Sequence, residues 1–142
     1  RSWHTRHRFP RILLFHLRAR AALASLDCGL DNRMLIRSAQ RDAKKIMREP
    51  GGWPRPLGRL VLAGTALATG HQDAAIHQLE ISIHELDTWQ MALYSAAAKR
   101  KLGSLLGKEN GASLHADGTE FMIGQGICSP TKIARMLVPL PE

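Results

Sequence analysis

His77, Glu80 and His84 are residue types that bind zinc or iron, and at i, i+3 and i+7 they share one side of a helix. Their spacing matches no helix-borne metal site. HExxH needs its histidines four apart, and carboxylate-bridged centres need an ExxH motif on each of two helices. After His84-Glu85 the second histidine position is held by Thr88. The three are read as solvated residues bordering an apolar stripe, and no metal or other cofactor is expected. The string from Gly103 to Glu109 has the outline of a phosphate loop but only three residues between its glycines, no Ser or Thr after Lys108, and a helix before it where a strand is required. Gly124-Gln125-Gly126 lacks a third glycine and a strand–helix setting, so it reads as a helix stop. Cys28 and Cys128 lie a hundred positions apart, form no CxxC pair, and read as small packing residues in a reduced, cytoplasmic setting. No serine sits in a nucleophile elbow and no carboxylates stand as a pair, so no catalytic residue is expected in this segment.

One constellation survives. Arg37, Arg41, Lys44, Lys45 and Arg48 recur at i, i+4, i+7, i+8 and i+11, with only Asp42 on a neighbouring position. Such a stripe can neutralise phosphates, receive an acidic protein partner, or simply keep a helix solvated. Aromatic stacking partners for bases are nearly absent, which sets nucleic acid below protein.

The elements that carry these residues follow from composition. The chain has 142 residues; 20 are Leu and 18 Ala, against 9 Ile, 2 Val and 5% aromatics, a mixture that favours helices over sheets. The formal charge is +8, but residues 1–20 hold six Arg and no acid, while residues 21–142 hold fourteen Lys+Arg against twelve Asp+Glu. No secretory signal is recognisable in this start, and apolar runs such as Ile12–Phe15 fall far short of the roughly 18 residues needed to span a bilayer.

A first helix is expected over Ile12–Leu26, with Leu13, Leu17 and Ala21 on one face and Leu14 and Ala22 beside it, ended by Asp27-Cys28-Gly29. A second runs from an Asp31 cap to Arg48, with Leu35, Ala39, Ala43 and Ile46 inward. Pro50-Gly51-Gly52-Trp53-Pro54 breaks the chain. A third helix spans Pro56–Thr69, closed by Gly70, and a fourth Asp73–Asp87, with Asp73 as cap. A fifth follows a Thr88 cap over Trp89–Leu106, closed by Gly107. A sixth, Glu109–Gln125, is weakened by Gly111, Gly118 and Gly124 and needs tertiary support. A short last helix spans Thr131–Leu137, with Pro139 beyond its end. Residues 1–11 are thus a basic lead at a fragment edge, 12–50 a first helix pair, and 51–142 two further pairs plus the short helix, all in one structural domain. Ala21-Ala22-Leu23-Ala24-Ser25 echoes Thr65-Ala66-Leu67-Ala68-Thr69 at an offset of 44, within the period of helix–turn–helix repeats. The expected fold is all-α: antiparallel helix pairs stacked as a tetratricopeptide-like right-handed array of six to seven helices.

The stretch Met91-Ala-Leu-Tyr-Ser-Ala-Ala-Ala-Lys-Arg-Lys-Leu-Gly103, then Leu105-Leu106-Gly107, Met122, Gln125-Gly126-Ile127, Pro130 and Met136-Leu137-Val-Pro139, resembles the C-terminal region of large bacterial serine/threonine protein kinases. In that family a kinase domain is followed by an ATPase-like module and a tetratricopeptide-like helical region. The resemblance covers roughly residues 55–142, and it departs at Asn110, Gly118 and Gly124. The glycine-rich loop, strand lysine, HRD and DFG of a kinase are missing, so no catalytic residue carries over. The resemblance implies a non-catalytic regulatory or protein-interaction region of a larger cytoplasmic kinase or ATPase. Its partner would be another protein or the parent's own upstream catalytic domain, received on the concave face of the inner helices. A basic helical nucleic-acid-binding domain is the alternative.

Overall fold

The computed structural model describes residues 3–26, 28, 31–138 and 140, with side chains from Arg8 onward. Among the described residues six helices follow one another: α1 (Trp3–Ala24), α2 (Asn32–Met47), α3 (Arg55–Ala68), α4 (Gln72–Thr88), α5 (Ala92–Gly124) and α6 (Pro130–Leu137). There is no strand among the described residues. Gly107, at φ 78°, folds α5 back on itself, so its arms 92–106 and 108–124 act as separate rods.

Each connection is short and each helix packs against the next; the cross-links show opposite senses for α1 with α2 and for α4 with the first arm of α5. Arg11 pairs with Glu49 and Arg18 with Asp42, stepping up α1 and down α2. Ser82 Oγ donates to the Pro56 carbonyl at 3.1 Å, and Arg59 Nε to Glu85 at 3.0 Å, joining α3 to α4. Ser95 Oγ donates to Asp87 Oδ1 at 2.5 Å, and Gln72 Nε2 to the Leu105 carbonyl at 3.3 Å, joining α4 to the first arm of α5. A main core of Ile12, Ile46, Leu57, Leu60, Leu79, Leu86, Leu102 and Met122 runs through the array. A satellite of Ala19, Ala22, Leu23, Ala39, Ala43 and Val61 lies among α1, α2 and α3. Complete burial of each large side chain stabilises by about 1.5–3 kcal/mol.

The helix ends are chemically legible. Asp31 caps α2 by accepting from the amides of Arg33 and Met34, at 2.9 and 3.4 Å. Gly70, at φ 79°, ends α3 in a left-handed turn, with the His71 amide reaching back to the Ala66 carbonyl at 2.8 Å.

Close approach of backbones explains the glycines of the sixth rod. A Cβ on Gly111 would stand 1.9 Å from the Gly103 carbonyl oxygen, and one on Gly118 2.4 Å from the Ala96 carbonyl oxygen. Gly111 and Gly118, seven residues apart on one arm, therefore face Gly103 and Ala96, seven apart on the other. This contact supplies the tertiary support that the glycine-rich arm needs.

Several expectations are corrected. The helical structure of α1 begins at Trp3, so most of the basic lead is helical and Pro10 lies inside the helix. The Phe9 ring, 5.6 Å from that of Trp53, anchors this extension. The apolar face expected from Leu13, Leu17 and Ala21, with Leu14 beside it, is exposed, and the buried side of α1 is Ile12, His16, Ala19, Ala22 and Leu23. α1 scatters leucines and arginines round its circumference, so its periodicity selects no face; packing of Ile12, Ala19, Ala22 and Leu23 into the cores and the ion pairs to α2 together set its rotation. α4 starts at Gln72 after His71, which makes Asp73 a first-turn residue, placed well for the helix dipole, and not the cap. Thr88 belongs to α4, its hydroxyl donating back to the His84 carbonyl at 2.9 Å. Gln90, left-handed at φ 56°, makes the turn, and α5 begins at Ala92. Both cysteines are exposed: Cys28 lies in the turn after α1 and Cys128 in the turn before α6, outside the core. Asp27, Gly29 and Pro139 lie outside the described residues.

Candidate functional site

The cationic residues singled out in α2 do not act as one set. Arg37, Arg41 and Lys44 share an open groove of about 720 Å³ with Asp31, Arg33, Met34 and Gln40. Lys45 turns the other way, its Nζ 5.1 Å from the centroid of the Phe15 ring. Arg18 shares that ring, at 5.5 Å. Arg48 is exposed at the C-terminal cap of α2, outside the groove. Arg33 joins the groove although the stripe as read begins at Arg37; its position one turn earlier on the same face was the available signal.

Asp42, which interrupts the stripe in sequence, faces inward at 1% exposure and accepts two bonds from Arg18, one of them from Nε at 2.7 Å. The carboxylate raises the pKa of Arg18 above its usual value through the hydrogen bond and then through charge. Asp42 thus takes one cation out of the surface field and fixes α1 against α2.

Beside that pair runs a row of exposed leucines. Leu14 and Leu17 are 60% and 58% exposed and Leu13 is 38% exposed; with exposed Pro10, Ala21 and Ala24 they form an apolar row on the solvent side of α1, which they share with the exposed Arg8, Arg11 and Arg18. Helices on a soluble surface normally turn charge outward, and an exposed apolar row departs from that pattern. It is framed by an asymmetric charge field. Residues 1–50 hold twelve Lys+Arg against four Asp+Glu, whereas residues 51–142 hold eight of each. The whole net charge of +8 belongs to the first helix pair and its flanks.

No protein-family model matches the chain, and neither does any curated protein or solved structure.

The remaining polar features sit inside the array. His16, 1% exposed, packs edge-on to Tyr94 at 5.9 Å, and its Nε2 has no partner. Burial, and then the charge of Arg20, lower its pKa to about 4, so the ring is neutral at pH 7. Burial also raises the Tyr94 hydroxyl. Arg100, 8% exposed, donates to Thr119 and Thr131 and so ties both arms of α5 to the start of α6. Its desolvation lowers its pKa, and burial followed by the Arg100 charge lowers that of His115. His77, Glu80 and His84 are exposed on α4, and no cluster of three potential metal ligands occurs among the described residues. Among the described residues no helix is long and apolar enough to cross a membrane.

Proposed function

We propose that this chain is a non-catalytic, tetratricopeptide-like protein-interaction region that serves a larger bacterial signalling kinase or ATPase as a regulatory segment. It binds its partner with the outer face of α1. The observation that carries this reading is the row Leu13, Leu14 and Leu17, exposed on a helix whose surroundings hold all of the chain's net positive charge. An apolar row with a cationic border complements an amphipathic helix that presents leucines on one side and Asp or Glu beside them. Support therefore lies on α1 more than on an inner concave surface. The partner is another protein or the parent's own catalytic domain.

The groove of Arg33, Arg37, Arg41 and Lys44 favours a second reading, binding to nucleic-acid phosphates. The two predict different salt behaviour and different sensitive residues. In fluorescence anisotropy with a labelled acidic Leu/Glu helical peptide, binding should survive 0.5 M salt in part and fall at least tenfold in the double substitution Leu14→Ser, Leu17→Ser. A chain that ignores the peptide but binds duplex DNA or RNA, with affinity falling log-linearly in salt and lost on Arg37→Glu with Arg41→Glu, would establish the nucleic-acid reading instead. Sequencing the complete gene product tests the parent: a kinase or ATPase region preceding Arg1 is expected, and its absence refutes that part of the proposal.

A further inference from the structure

Arg100 is a charged side chain held inside the array at 8% exposure, and no carboxylate among the described residues pairs with it. Nη1 donates to Thr119 Oγ1 and Nη2 to Thr131 Oγ1 at 3.0 Å, while Nε is buried without a partner. Hydroxyl dipoles offset only part of a full charge, and a buried guanidinium normally faces a carboxylate or a phosphate. The fold makes room for this one deliberately: at Gly118 a Cβ would come within 2.9 Å of Arg100 Cγ.

The fork ends at a helix start that is itself short of acceptors. Thr131 is the second residue of α6, and Ser129 in the cap position makes no side-chain bond to the first turn. Pro130 has no amide hydrogen, and the Ile133 amide is the first to join the ladder, reaching the Ser129 carbonyl at 3.2 Å. The amides of Thr131 and Lys132 thus open the helix without an intrahelical acceptor, on exposed residues. Thr119 directs its own hydrogen to the His115 carbonyl at 2.8 Å, whereas Thr131 Oγ1 accepts from Arg100 and still carries a hydrogen to give. Two free amides and one hydroxyl therefore lie on the first turn of α6, with Lys132 on the same turn and the Arg100 guanidinium, which has no carboxylate partner among the described residues, bonded to Thr131.

We propose that a phosphate-type oxyanion, free or as a phosphate monoester, seats at the start of α6 on the Thr131 and Lys132 amides and the Thr131 hydroxyl and neutralises Arg100. This site lies on α5 and α6, in the half of the chain with no net charge, and is independent of the α1 surface. Once filled, it draws the His115 pKa back up, because the charge that helps to lower it is balanced.

The test is a titration of the whole 15N-labelled chain with inorganic phosphate at constant ionic strength, with chloride as reference and O-phosphothreonine in a second arm. Saturable shifts at the Thr131 and Lys132 amides and at Arg100 Nε–H are expected, with a rise in the His115 pKa. Arg100→Gln removes a buried anchor and Thr131→Val one of its two acceptors, so the decisive contrast, at unchanged helical dichroism, is Thr131→Val, which should weaken binding at least tenfold, against Thr131→Ser, which keeps the hydroxyl and should bind as the parent does. Tighter binding of O-phosphothreonine identifies a phosphorylated side chain as the source, and equal or tighter binding of phosphate identifies the free ion; both uphold the site. Shifts that do not saturate, that gather on Arg33, Arg37 and Arg41, or that persist unchanged in Thr131→Val overturn it.

Discussion

Gly111→Ala and Gly124→Ala are the same change in the same helical arm, and packing gives them opposite signs. By propensity alone each would stabilise the chain by up to about 1 kcal/mol, since alanine is the best helix former and glycine among the worst. At Gly124 nothing lies within 4 Å of the added methyl, and the gain survives, reduced to roughly 0.5 kcal/mol because this residue closes the helix. At Gly111 the methyl would stand 1.9 Å from the Gly103 carbonyl oxygen, where ordinary contact begins at 3.4 Å. A carbonyl has no rotamer to yield, so the arms must part by roughly 1.5 Å, a displacement that close-packed interiors resist. That movement also lifts Gly118 from the Ala96 carbonyl and strains the Arg100 fork between Thr119 and Thr131. Overpacking against side chains costs about 1–3 kcal/mol, and against backbone the upper end applies, so Gly111→Ala should be less stable by at least roughly 2 kcal/mol net. In urea melts followed by far-UV circular dichroism, the midpoint should fall by about 1 M for Gly111→Ala and rise slightly for Gly124→Ala, with m near 2 kcal/mol/M. A Gly111→Ala chain as stable as the parent, with m unchanged, would refute glycine contact as the reason the arms lie where they do.

The buried His16 makes stability depend on pH below neutrality. Its folded pKa of about 4 lies below the unfolded 6.5, so the unfolded chain binds the extra proton; stability is complete above pH 6.5 and falls as pH drops towards 4. The loss is about 2 kcal/mol at pH 5 and approaches roughly 3 kcal/mol at pH 4, and urea midpoints of His16→Phe should lack that part of the slope. Arg18→Ala strands the inward-facing Asp42 carboxylate and should destabilise by roughly 1–2 kcal/mol at pH 7, less than for a fully buried pair because Arg18 is half-exposed; a double-mutant cycle with Asp42→Asn that returns no coupling would show the pair to be ornamental. Leu14→Ser and Leu17→Ser should each change stability by less than about 0.5 kcal/mol, whereas Leu60→Ala, in the core, should cost about 2–5 kcal/mol; thermal melts separate the two classes.

Helix number and most boundaries were legible because their signals are local. Asp31 caps from its own side chain, Gly70 and Gly107 adopt the left-handed turn that only glycine enters freely, and Pro130 opens α6. The turn at Gln90 was not legible, since a residue of ordinary propensity is forced there by the packing of α4 against α5. The face of α1 was illegible for a related reason. With leucines and arginines scattered round the helix, the buried side is chosen by the cores it packs into and by Asp42 and Glu49 on another element, and no periodicity within α1 records that choice. For the same reason the residues of the basic stripe are only partly together: three of its members share a groove, but Lys45 is drawn aside by Phe15, a partner thirty positions away. Arg100 carried no sequence signal at all, because one arginine in a charged run looks like any other until a glycine opposite makes room for it.

Two tryptophans meet the boundary between the first helix pair and the rest. Trp53 stands against Phe9, and the Trp89 ring lies over Gly52, so tightly that a Cβ there would be 2.5 Å from Cζ2. An array held together by contacts between successive helices can lose one end before the remainder melts. With Trp3 replaced by phenylalanine, indole emission reports this one junction, while circular dichroism reports helix everywhere. An emission midpoint that precedes the dichroism midpoint would be the optical signature of the positively charged end peeling away as a unit, and coincident midpoints would mean that the array melts as a single cooperative body.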